Sequence, residues 1–349
     1  MVLLSLVVFC PAYADATPGD PGIPADPNAT QAARNLLTYL YTLPNEINHR
    51  LITGQWGNWH GMNASALDTQ ERINTATGHY PGLWGINAWG TTSPATNPPE
   101  FSLRLTSDNI IAWANSGGIV EIDPFFPHPI TGGSAGDLTA IANFEDVYTD
   151  NGNATNAAFN ATLDAFAVEM LKLQTANVAA VVKPFSEMSG GWFWWGANVS
   201  TTQYKALWQY TFTYLTQTKG VHNILWTFSE WHQTSSLNYY PGAIYVDIVG
   251  IDVYNYLATS RKVTNYDAFV ATGKPFALTE FGLQHYGSDP PMDLNAAIQD
   301  IKASMPETVY FMLWNEGWAM DLQNNISAAL NDPWVKNRDT PACPIATLP

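Results

Sequence analysis

The chain has 349 residues, of which 46% are hydrophobic and only 13% are charged, so it can bury a large core as one large domain or two average ones. Its 14 Lys and Arg against 30 Asp and Glu give a formal net charge of −16, which would repel nucleic acid and anionic membranes. A neutral partner fits this balance, and we assume a monomer. The 14 Trp and 16 Tyr residues indicate a large aromatic core with rings to spare.

The first residues are typical of a secretory signal. Residues 2–10 are mostly apolar, and Ala12, Tyr13 and Ala14 form a small-x-small cleavage site, although the segment lacks Lys or Arg at its start. It is too short to span a bilayer. We therefore predict a signal peptide at residues 1–14, a Pro- and Gly-rich arm at 15–30, one catalytic domain at 31–349, and a secreted, extracellular protein.

Glycosylation sequons and cysteines agree with secretion. Six N-x-Ser/Thr sequons favour a secreted eukaryotic glycoprotein; they begin at Asn28, Asn63, Asn153, Asn160, Asn198 and Asn325. Cys10 leaves with the signal, so Cys343 is alone and no intrachain disulfide is possible. The seven His residues show no close metal-binding spacing, and we expect neither a metal nor an organic cofactor.

Eight short apolar segments along the chain are predicted as strands. They lie at residues 51–56, 80–86, 118–123, 178–185, 223–228, 246–252, 275–280 and 309–314. Helical patterns separate most of them, at residues 31–43, 65–77, 103–115, 156–175 and 201–218. This alternation predicts an α/β protein with a single closed (β/α)8 barrel, a TIM barrel. An open doubly wound sheet is the alternative, but no glycine-rich dinucleotide turn follows the first strand.

The most informative segment follows the fourth predicted strand. Glu187 stands where the strand ends, and Trp192, Trp194 and Trp195 follow it closely. A carboxyl beside so much aromatic surface loses hydration, so its pKa rises and it can act as an acid near neutral pH. Flat apolar rings also stack on the C–H faces of sugars. We expect Trp194 and Trp195 to pack in the core.

Functional groups of a (β/α)8 barrel lie at the carboxyl ends of its strands. Glu187 ends the fourth strand and Glu280 the seventh, nearly opposite, so the two carboxylates can flank one bond. Glycoside hydrolysis requires such a pair. We interpret Glu187 as the general acid/base and Glu280 as the nucleophile, with Tyr254 donating a hydrogen bond that keeps Glu280 ionised.

Other polar or aromatic residues also lie at strand ends, namely Trp56, His128, Asp252, Trp314 and Asn315. Four further acids could be confused with the pair. We expect Glu121 to face a helix or a buried partner, Asp123 to end the third strand, and Glu230 and Glu316 to lie in rim loops.

These residues resemble glycoside hydrolase family 26, whose best-known members are β-mannanases. The family's strand-four motif, Arg-Pro and then His-Glu-Met-Asn-Gly-x-Trp-Phe-Trp-Trp-Gly, corresponds to residues 183–196. Its strand-six signature, Tyr-Pro-Gly and then Val-Asp-x-Val-Gly-x-Asp-x-Tyr, corresponds to residues 240–254, and its Thr-Glu-Phe-Gly to residues 279–282. The resemblance covers roughly residues 45–325.

The resemblance implies a retaining mechanism through a covalent glycosyl-enzyme, with Glu187 as acid/base and Glu280 as nucleophile. It places Tyr254 on the tyrosine that bonds the nucleophile, Asp252 on its strand-six neighbour, and Trp192 and Trp314 on aromatics that line the sugar-binding centre. His128 corresponds more loosely to a substrate-binding histidine.

The chain departs from the motif at four positions. Ser186 replaces the histidine before the acid/base, Ser189 the asparagine, Lys183 the strand-centre arginine, and Asn315 an arginine often found in mannanases. We count Ser186 among the substrate-binding candidates, and the changes leave the sugar open. The expected function is a secreted retaining endo-β-glycanase acting on a plant or algal polysaccharide, first β-1,4-mannan. The alternatives are mixed-linkage β-glucan, xylan or another β-glycan, and a catalytically silent glycan-binding barrel.

Overall fold

The computed structural model describes residues 20–57, 67–88, 107–254, 262–282 and 291–340. Eight parallel strands pair in chain order, and the eighth pairs with the first to close a barrel. The strands are β1 (Leu51–Trp56), β2 (Leu83–Asn87), β3 (Ile119–Asp123), β4 (Ala180–Val182), β5 (Ile224–Trp231), β6 (Ile248–Tyr254), β7 (Phe276–Gly282) and β8 (Thr308–Leu313). A two-residue strand, β9 (Val335–Lys336), pairs with the start of β1. The predicted (β/α)8 barrel is confirmed.

The first helix precedes the first strand, and the other helices each follow a strand. The helices are α1 (Gln31–Thr42), α2 (Asp68–Thr77), α3 (Ser107–Asn115), α4 (Ala154–Thr175), α5 (Thr201–Thr213), α6 (Tyr266–Val270), α7 (Leu294–Ser304) and α8 (Ile326–Leu330). Ser200 begins α5 with a reciprocal capping box to Gln203, which satisfies backbone donors that the first turn leaves free. Among the described residues, no helix is both long and apolar enough to cross a membrane.

Helix α1 closes the amino-terminal end of the barrel. Its apolar face, with Leu36, Leu37 and Leu40, belongs to one buried cluster with inward-facing strand residues such as Ile52 and Leu225. A second, larger cluster fills the space between strands and outer helices. Apolar side chains therefore fill the amino-terminal end of the barrel, and the buried polar residues lie at its carboxyl end.

The carboxyl end of the barrel holds buried charge. Side chains alternate along a strand between the barrel interior and the outer face. Polar residues two positions beyond an inward apolar residue therefore also point into the barrel. Asp123, Lys183, Ser229 and Asp252 are all at most 1% exposed there. The carboxyl end of the barrel is thus a buried polar layer inside a closed barrel.

Four elements have bounds that differ from the predictions for physical reasons. The strand predicted at 178–185 is paired as a strand only at Ala180–Val182, and Pro184, which has no N–H to donate, follows. The fifth and sixth strands run further than predicted, since Trp231 pairs in register with Asp252. The helix predicted at 201–218 ends as α5, and a π-helical turn, Tyr214–Thr218, completes it.

The predicted signal peptide lies outside the described residues, and so do Asn63 and both cysteines. The described part of the predicted arm packs against the barrel, because Ala25 donates its N–H to Asp247 and Asp26 pairs with His222.

Candidate active site

The two candidate catalytic carboxyls converge at the centre of the barrel mouth. Glu187 follows β4, and Glu280 lies in β7. One carboxylate oxygen of each, together with one of Asp252, lies within 4.8 Å of the other two. Glu187 is 8% exposed and Glu280 5% exposed, so both are largely removed from water.

Glu187 is held at a sharp turn of the backbone. Its φ of 53° lies in the left-handed region, which is uncommon for a residue with a side chain. Its N–H donates to the carbonyl of Ser229 at 3.1 Å, and Gly190 donates back to its carbonyl at 2.9 Å. These two bonds fix the turn and direct the carboxyl over the barrel.

Glu280 is bonded by two donors. The Tyr254 hydroxyl donates to Oε2 at 2.7 Å, and the Lys183 ammonium contacts Oε1. Both donors stabilise the ionised carboxylate. The predicted role of Tyr254 as the partner of Glu280 therefore has a direct contact behind it.

Lys183 neutralises a buried group of carboxylates. Its Nζ lies 3.2 Å from Asp252 and 3.4 Å from Asp123, in addition to its contact with Glu280, and the side chain is fully buried. Although burial alone lowers the pKa of a lysine, the surrounding carboxylates, led by Asp252 and Glu280, raise the pKa of Lys183 well above its usual value. The lysine is thus a permanent cation at this site.

Among the described residues, no cation contacts Glu187. The Trp192 indole N–H donates to its Oε2 at 2.9 Å, whereas its Oε1 is buried without a hydrogen-bond partner among the described residues. Burial, and then the charges of Glu280 and Asp252, raise the pKa of Glu187 well above its usual value. Burial also raises the pKa of Glu280, but Lys183 and Tyr254 oppose that rise. The proton of the pair therefore belongs on Glu187.

Hydroxyl groups position the remaining acids. Oδ1 of Asp252 accepts from Ser229 at 2.8 Å and from Thr279 at 2.6 Å. Ser186 donates to Asp123 at 3.0 Å, and burial raises the pKa of Asp123 to about 6. Ser186 is 1% exposed and lies directly beside Glu187 in the chain, so it faces the buried polar layer.

The predicted tryptophans separate into surface and core. Trp192 is 38% exposed beside Glu187, and Trp314 is partly exposed with its ring 5.4 Å from that of Trp56. Trp194 and Trp195 are 3% and 0% exposed and pack in the main core, as predicted.

His128 is occupied within its own loop. Its Nδ1 accepts from the backbone N–H groups of Ile130 and Thr131, and its Nε2 lies 2.9 Å from the carbonyl of Thr139. It is 1% exposed. The substrate-binding role of His128 stays a prediction, and the contacts above make it a residue that shapes the loop.

Glu230 lies differently from the sequence expectation, whereas Glu121 is buried, as expected. Glu230 is part of β5 and fully buried, so its assignment to a rim loop was wrong; the Ser189 hydroxyl donates to it, and burial raises its pKa to about 8. Glu121 lies two residues before Asp123 on the inward face of β3. Burial raises the pKa of Glu121 well above its usual value. The prediction for Glu316 lies outside the described side chains. Asn315 donates a hydrogen bond to the backbone carbonyl of Gly57.

Sequence reasoning missed Trp231, whose ring contacts both Trp192 and Tyr254. The signal was present as an alternation of inward positions, Leu225, Thr227, Ser229 and Trp231, that continues past the predicted end of the strand.

Three carboxylates at this spacing could in principle hold a metal ion. The Lys183 ammonium already contacts two of them, Asp252 and Glu280, and supplies the positive charge that an ion would bring. The described arrangement therefore places two carboxyls with different surroundings, Glu187 and Glu280, close to each other at the barrel mouth.

Comparison with known proteins identifies the family of the chain. The sequence pattern of glycosyl hydrolase family 26 matches residues 25–340, and the chain belongs to that family. It is a glycoside hydrolase.

The similar proteins include bacterial and protist enzymes. The chain is 32% identical to a mannan endo-1,4-beta-mannosidase of Bacillus subtilis (strain 168) over 327 residues, which cover 90% of this chain and 88% of the relative. The structure of Bacillus subtilis mannanase man26 superposes with a TM-score of 0.82 at 29% identity, covering 90% of this chain and 95% of that one. A beta-mannanase from a symbiotic protist of the termite Reticulitermes speratus, complexed with a gluco-manno-oligosaccharide, shares the fold at a TM-score of 0.73 and 20% identity, covering 91% and 97% of the two chains.

Proposed function

We propose that this protein is a secreted retaining endo-β-mannanase that cleaves β-1,4-mannan of plant or algal origin. The observation that carries the reaction type is that one carboxylate oxygen of Glu187 lies within 4.8 Å of one carboxylate oxygen of Glu280. Retaining enzymes hold their carboxyl groups about 5–5.5 Å apart, whereas inverting enzymes need roughly 6.5–9.5 Å to admit a water. The mannan specificity is supported by the names of the relatives.

In the first step the carboxylate of Glu280 attacks the anomeric carbon. The bond from that carbon to the glycosidic oxygen breaks, and Glu187 gives its proton to the departing oxygen. Lys183 and Tyr254 keep Glu280 ionised before the attack. The product is a glycosyl ester on Glu280 and a free chain end.

In the second step Glu187 works in reverse. Once Glu280 is an ester its negative charge is gone, and one cause of the raised pKa of Glu187 disappears with it. Glu187 then takes a proton from a water molecule, whose oxygen attacks the anomeric carbon and releases Glu280 as a carboxylate. The change of charge on the nucleophile thus converts the acid into a base.

The substrate is tested by incubating the protein with β-1,4-mannan, mixed-linkage β-glucan and xylan, and measuring new reducing ends and product sizes. We expect a mixture of oligosaccharides from mannan, and NMR of the first products should show the β-anomer. A protein with the Glu280→Ala change is the matched control for contaminating activity. Release only from another β-glycan would replace the substrate, and binding without release from any of them would indicate a glycan-binding barrel.

Secretion is proposed on the apolar segment at residues 2–10 and the sequons. Asn28 and Asn198 are exposed, whereas Asn160 donates to Asn156 and accepts from Tyr210. Expression of the full chain in a eukaryotic secretory host should deliver a protein that begins near residue 15 into the medium. Peptide mapping should find glycan at Asn198 rather than at Asn160, and retention of an uncleaved chain inside the cell would contradict the proposal.

A further inference from the structure

Trp231 lies between the two residues that donate hydrogen bonds to the catalytic pair. Its ring centroid is 5.3 Å from that of Trp192 in a perpendicular arrangement, and 5.7 Å from that of Tyr254 in a stacked one. Trp192 donates to Glu187 and Tyr254 donates to Glu280. One side chain therefore contacts the hydrogen-bond donors of both carboxyls without touching either carboxyl by a described bond.

The backbone fixes where Trp231 stands. It is the last residue of β5 and pairs in register with Asp252 of β6. Ser229, two positions earlier on the same face, donates to Asp252 inside the barrel. Strand alternation therefore brings the ring of Trp231 over the mouth of the barrel, above the buried polar layer.

Trp192 depends on this neighbour. It is 38% exposed, and its ring lies against the backbone of Gly190, where an added Cβ would come within 2.2 Å of the indole. Gly190 supports one side of the indole, and Trp231 is its ring partner among the described aromatic pairs. Without Trp231, the exposed Trp192 can leave the rotamer in which its N–H reaches Glu187.

Tyr254 is held in a similar way. Trp231 stacks against it, and Trp318 contacts it edge-on at 5.2 Å. Loss of the stacked ring opens space in which the phenol can turn away from Glu280.

We propose that Trp231 is a positioning residue that holds Trp192 on the acid/base Glu187 and Tyr254 on the nucleophile Glu280. This inference rests on the catalytic roles in the proposed function. Its consequence is that removal of one non-catalytic ring weakens two hydrogen bonds on opposite sides of the reacting bond.

The consequence is visible in the pH dependence of kcat/KM. The bonds from Trp192 and Tyr254 each lower the pKa of the carboxyl that they reach. When both bonds weaken, both pKa values rise, so the acidic and the alkaline limbs of the profile move to higher pH. Glu230 and His232 flank Trp231 in the chain, Asp252 and Lys183 act on the two carboxyls, and every variant keeps these titratable groups.

The experiment compares Trp231→Ala with Trp231→Phe, Trp192→Phe and Tyr254→Phe, using the polysaccharide that the wild type cleaves. We expect Trp231→Ala to lower kcat/KM about 10-fold or more, as expected for weakened bonds to charged groups, and to shift both limbs upward. Trp231→Phe keeps a ring and should recover most of the rate. Trp192→Phe should move the alkaline limb alone, and Tyr254→Phe the acidic limb alone.

The control for general loss of packing is Tyr214→Ala, which removes a ring stacked on Tyr210 at 5.9 Å on the outer helical layer. It should leave the pH profile unchanged. In a protein that already carries Trp192→Phe and Tyr254→Phe, adding Trp231→Ala should shift neither limb further.

An unshifted profile in folded Trp231→Ala, as judged by its thermal transition, would overturn the inference, and so would a further shift in the background without donors. The proposed function fails separately, if Glu280→Ala retains the wild-type rate. An inactive Glu280→Ala with a wild-type profile for Trp231→Ala would reject the positioning role alone.

Discussion

The hydroxyl of Tyr254 lies 2.7 Å from Oε2 of Glu280, while the Lys183 ammonium contacts Oε1 of the same carboxyl. Glu187, whose nearest oxygen is within 4.8 Å of Glu280, has one neutral donor, Trp192, and no cation in contact among the described residues. Two identical side chains are thereby given different proton affinities. In the proposed mechanism, this difference allows Glu187 to act as the acid while Glu280 attacks.

The roles of the two glutamates can be separated with substrates that carry an activated leaving group. Glu280→Ala removes the nucleophile, so we expect a loss of about 10⁴-fold or more in kcat even for an activated aryl glycoside. Glu187→Ala should spare the first step for that substrate, because a good leaving group needs no proton. A rapid burst followed by slow turnover, measured by stopped-flow absorbance, would identify the accumulated ester.

Azide gives the control for this assignment. Added azide should restore turnover of Glu187→Ala with retained configuration, since it needs no base to attack the ester. Equal losses in both variants, with no burst in either, would contradict the roles assigned here.

Lys183 is expected to control both stability and the acidic limb of activity. Lys183→Met leaves Asp123, Asp252 and Glu280 buried without their cation, which should cost about 3–5 kcal/mol in the free energy of unfolding. Loss of the ammonium raises the pKa of Glu280, so the acidic limb of kcat/KM should move to higher pH.

Denaturant titration and a pH-rate profile measure these two effects. Lys183→Arg is the matched control, because it keeps the charge and restores the residue of the family motif. It should stay closer to the wild type in both measurements. A Lys183→Met protein as stable as the wild type, with an unmoved acidic limb, would show that the ammonium does not compensate these acids.

Ser186 can be tested by returning it to the histidine of the family motif. Ser186 is 1% exposed and donates to Asp123, so the larger imidazole must displace buried neighbours. We expect Ser186→His to lower kcat/KM on the natural substrate by about 10-fold. Ser186→Ala, which loses one hydrogen bond without adding volume, should lose less. An improvement on mannan in the histidine variant would instead make this position a determinant of sugar specificity.

Glu230 should make stability depend on pH. Its pKa is raised to about 8 by burial, above the ordinary value of 4.5, so the folded protein binds a proton that the unfolded chain releases. The stability associated with Glu230 is therefore largest below pH 4.5 and is lost as pH rises toward 8. Glu230→Gln, which cannot titrate, should gain on the wild type between pH 5 and pH 8 by about 3–4 kcal/mol in the free energy of unfolding.

Urea unfolding measures the free energy of unfolding of Glu230→Gln and of the wild type at pH 5 and at pH 8. The expected gain is the increase in the difference between the two proteins from pH 5 to pH 8. Glu145→Gln, at an exposed acid in the segment between β3 and α4, controls for general effects of charge removal. A difference that stays constant between the two pH values would mean that Glu230 is ionised in the folded protein.

The order and spacing of apolar segments were sufficient to predict the barrel. Each strand of a closed barrel packs against the outer helices on one face and the barrel interior on the other, so it must be largely apolar. Strand β1 was placed at its observed bounds, and most other strands within three residues. The carboxyl-end rule then brought Glu187, Glu280, Asp252 and Tyr254 to one mouth. None of this required knowledge of any side-chain contact.

Strand length was harder to predict where polar residues continue a strand. The predicted fifth strand stopped at residue 228 because Ser229 and Glu230 are polar. Both are nevertheless buried and paired with β6. The cost of burying these polar groups is offset by hydrogen-bond partners far away in the sequence, Asp252 for Ser229 and Ser189 for Glu230. A local pattern carries no information about such partners, and Trp231 was missed for the same reason.

The sequence by itself determined the barrel, the two carboxylates and their placement at one end, since these follow from periodicity and strand order. Only the tertiary structure decided how the carboxylates differ. Thr279 and Glu280 are neighbours on β7, yet both contact the buried polar layer, because the register with β6 and β8 shifts beside them. That irregularity, and the cation that Lys183 brings across the barrel, arise from the closing of the sheet and belong to no single segment of the chain.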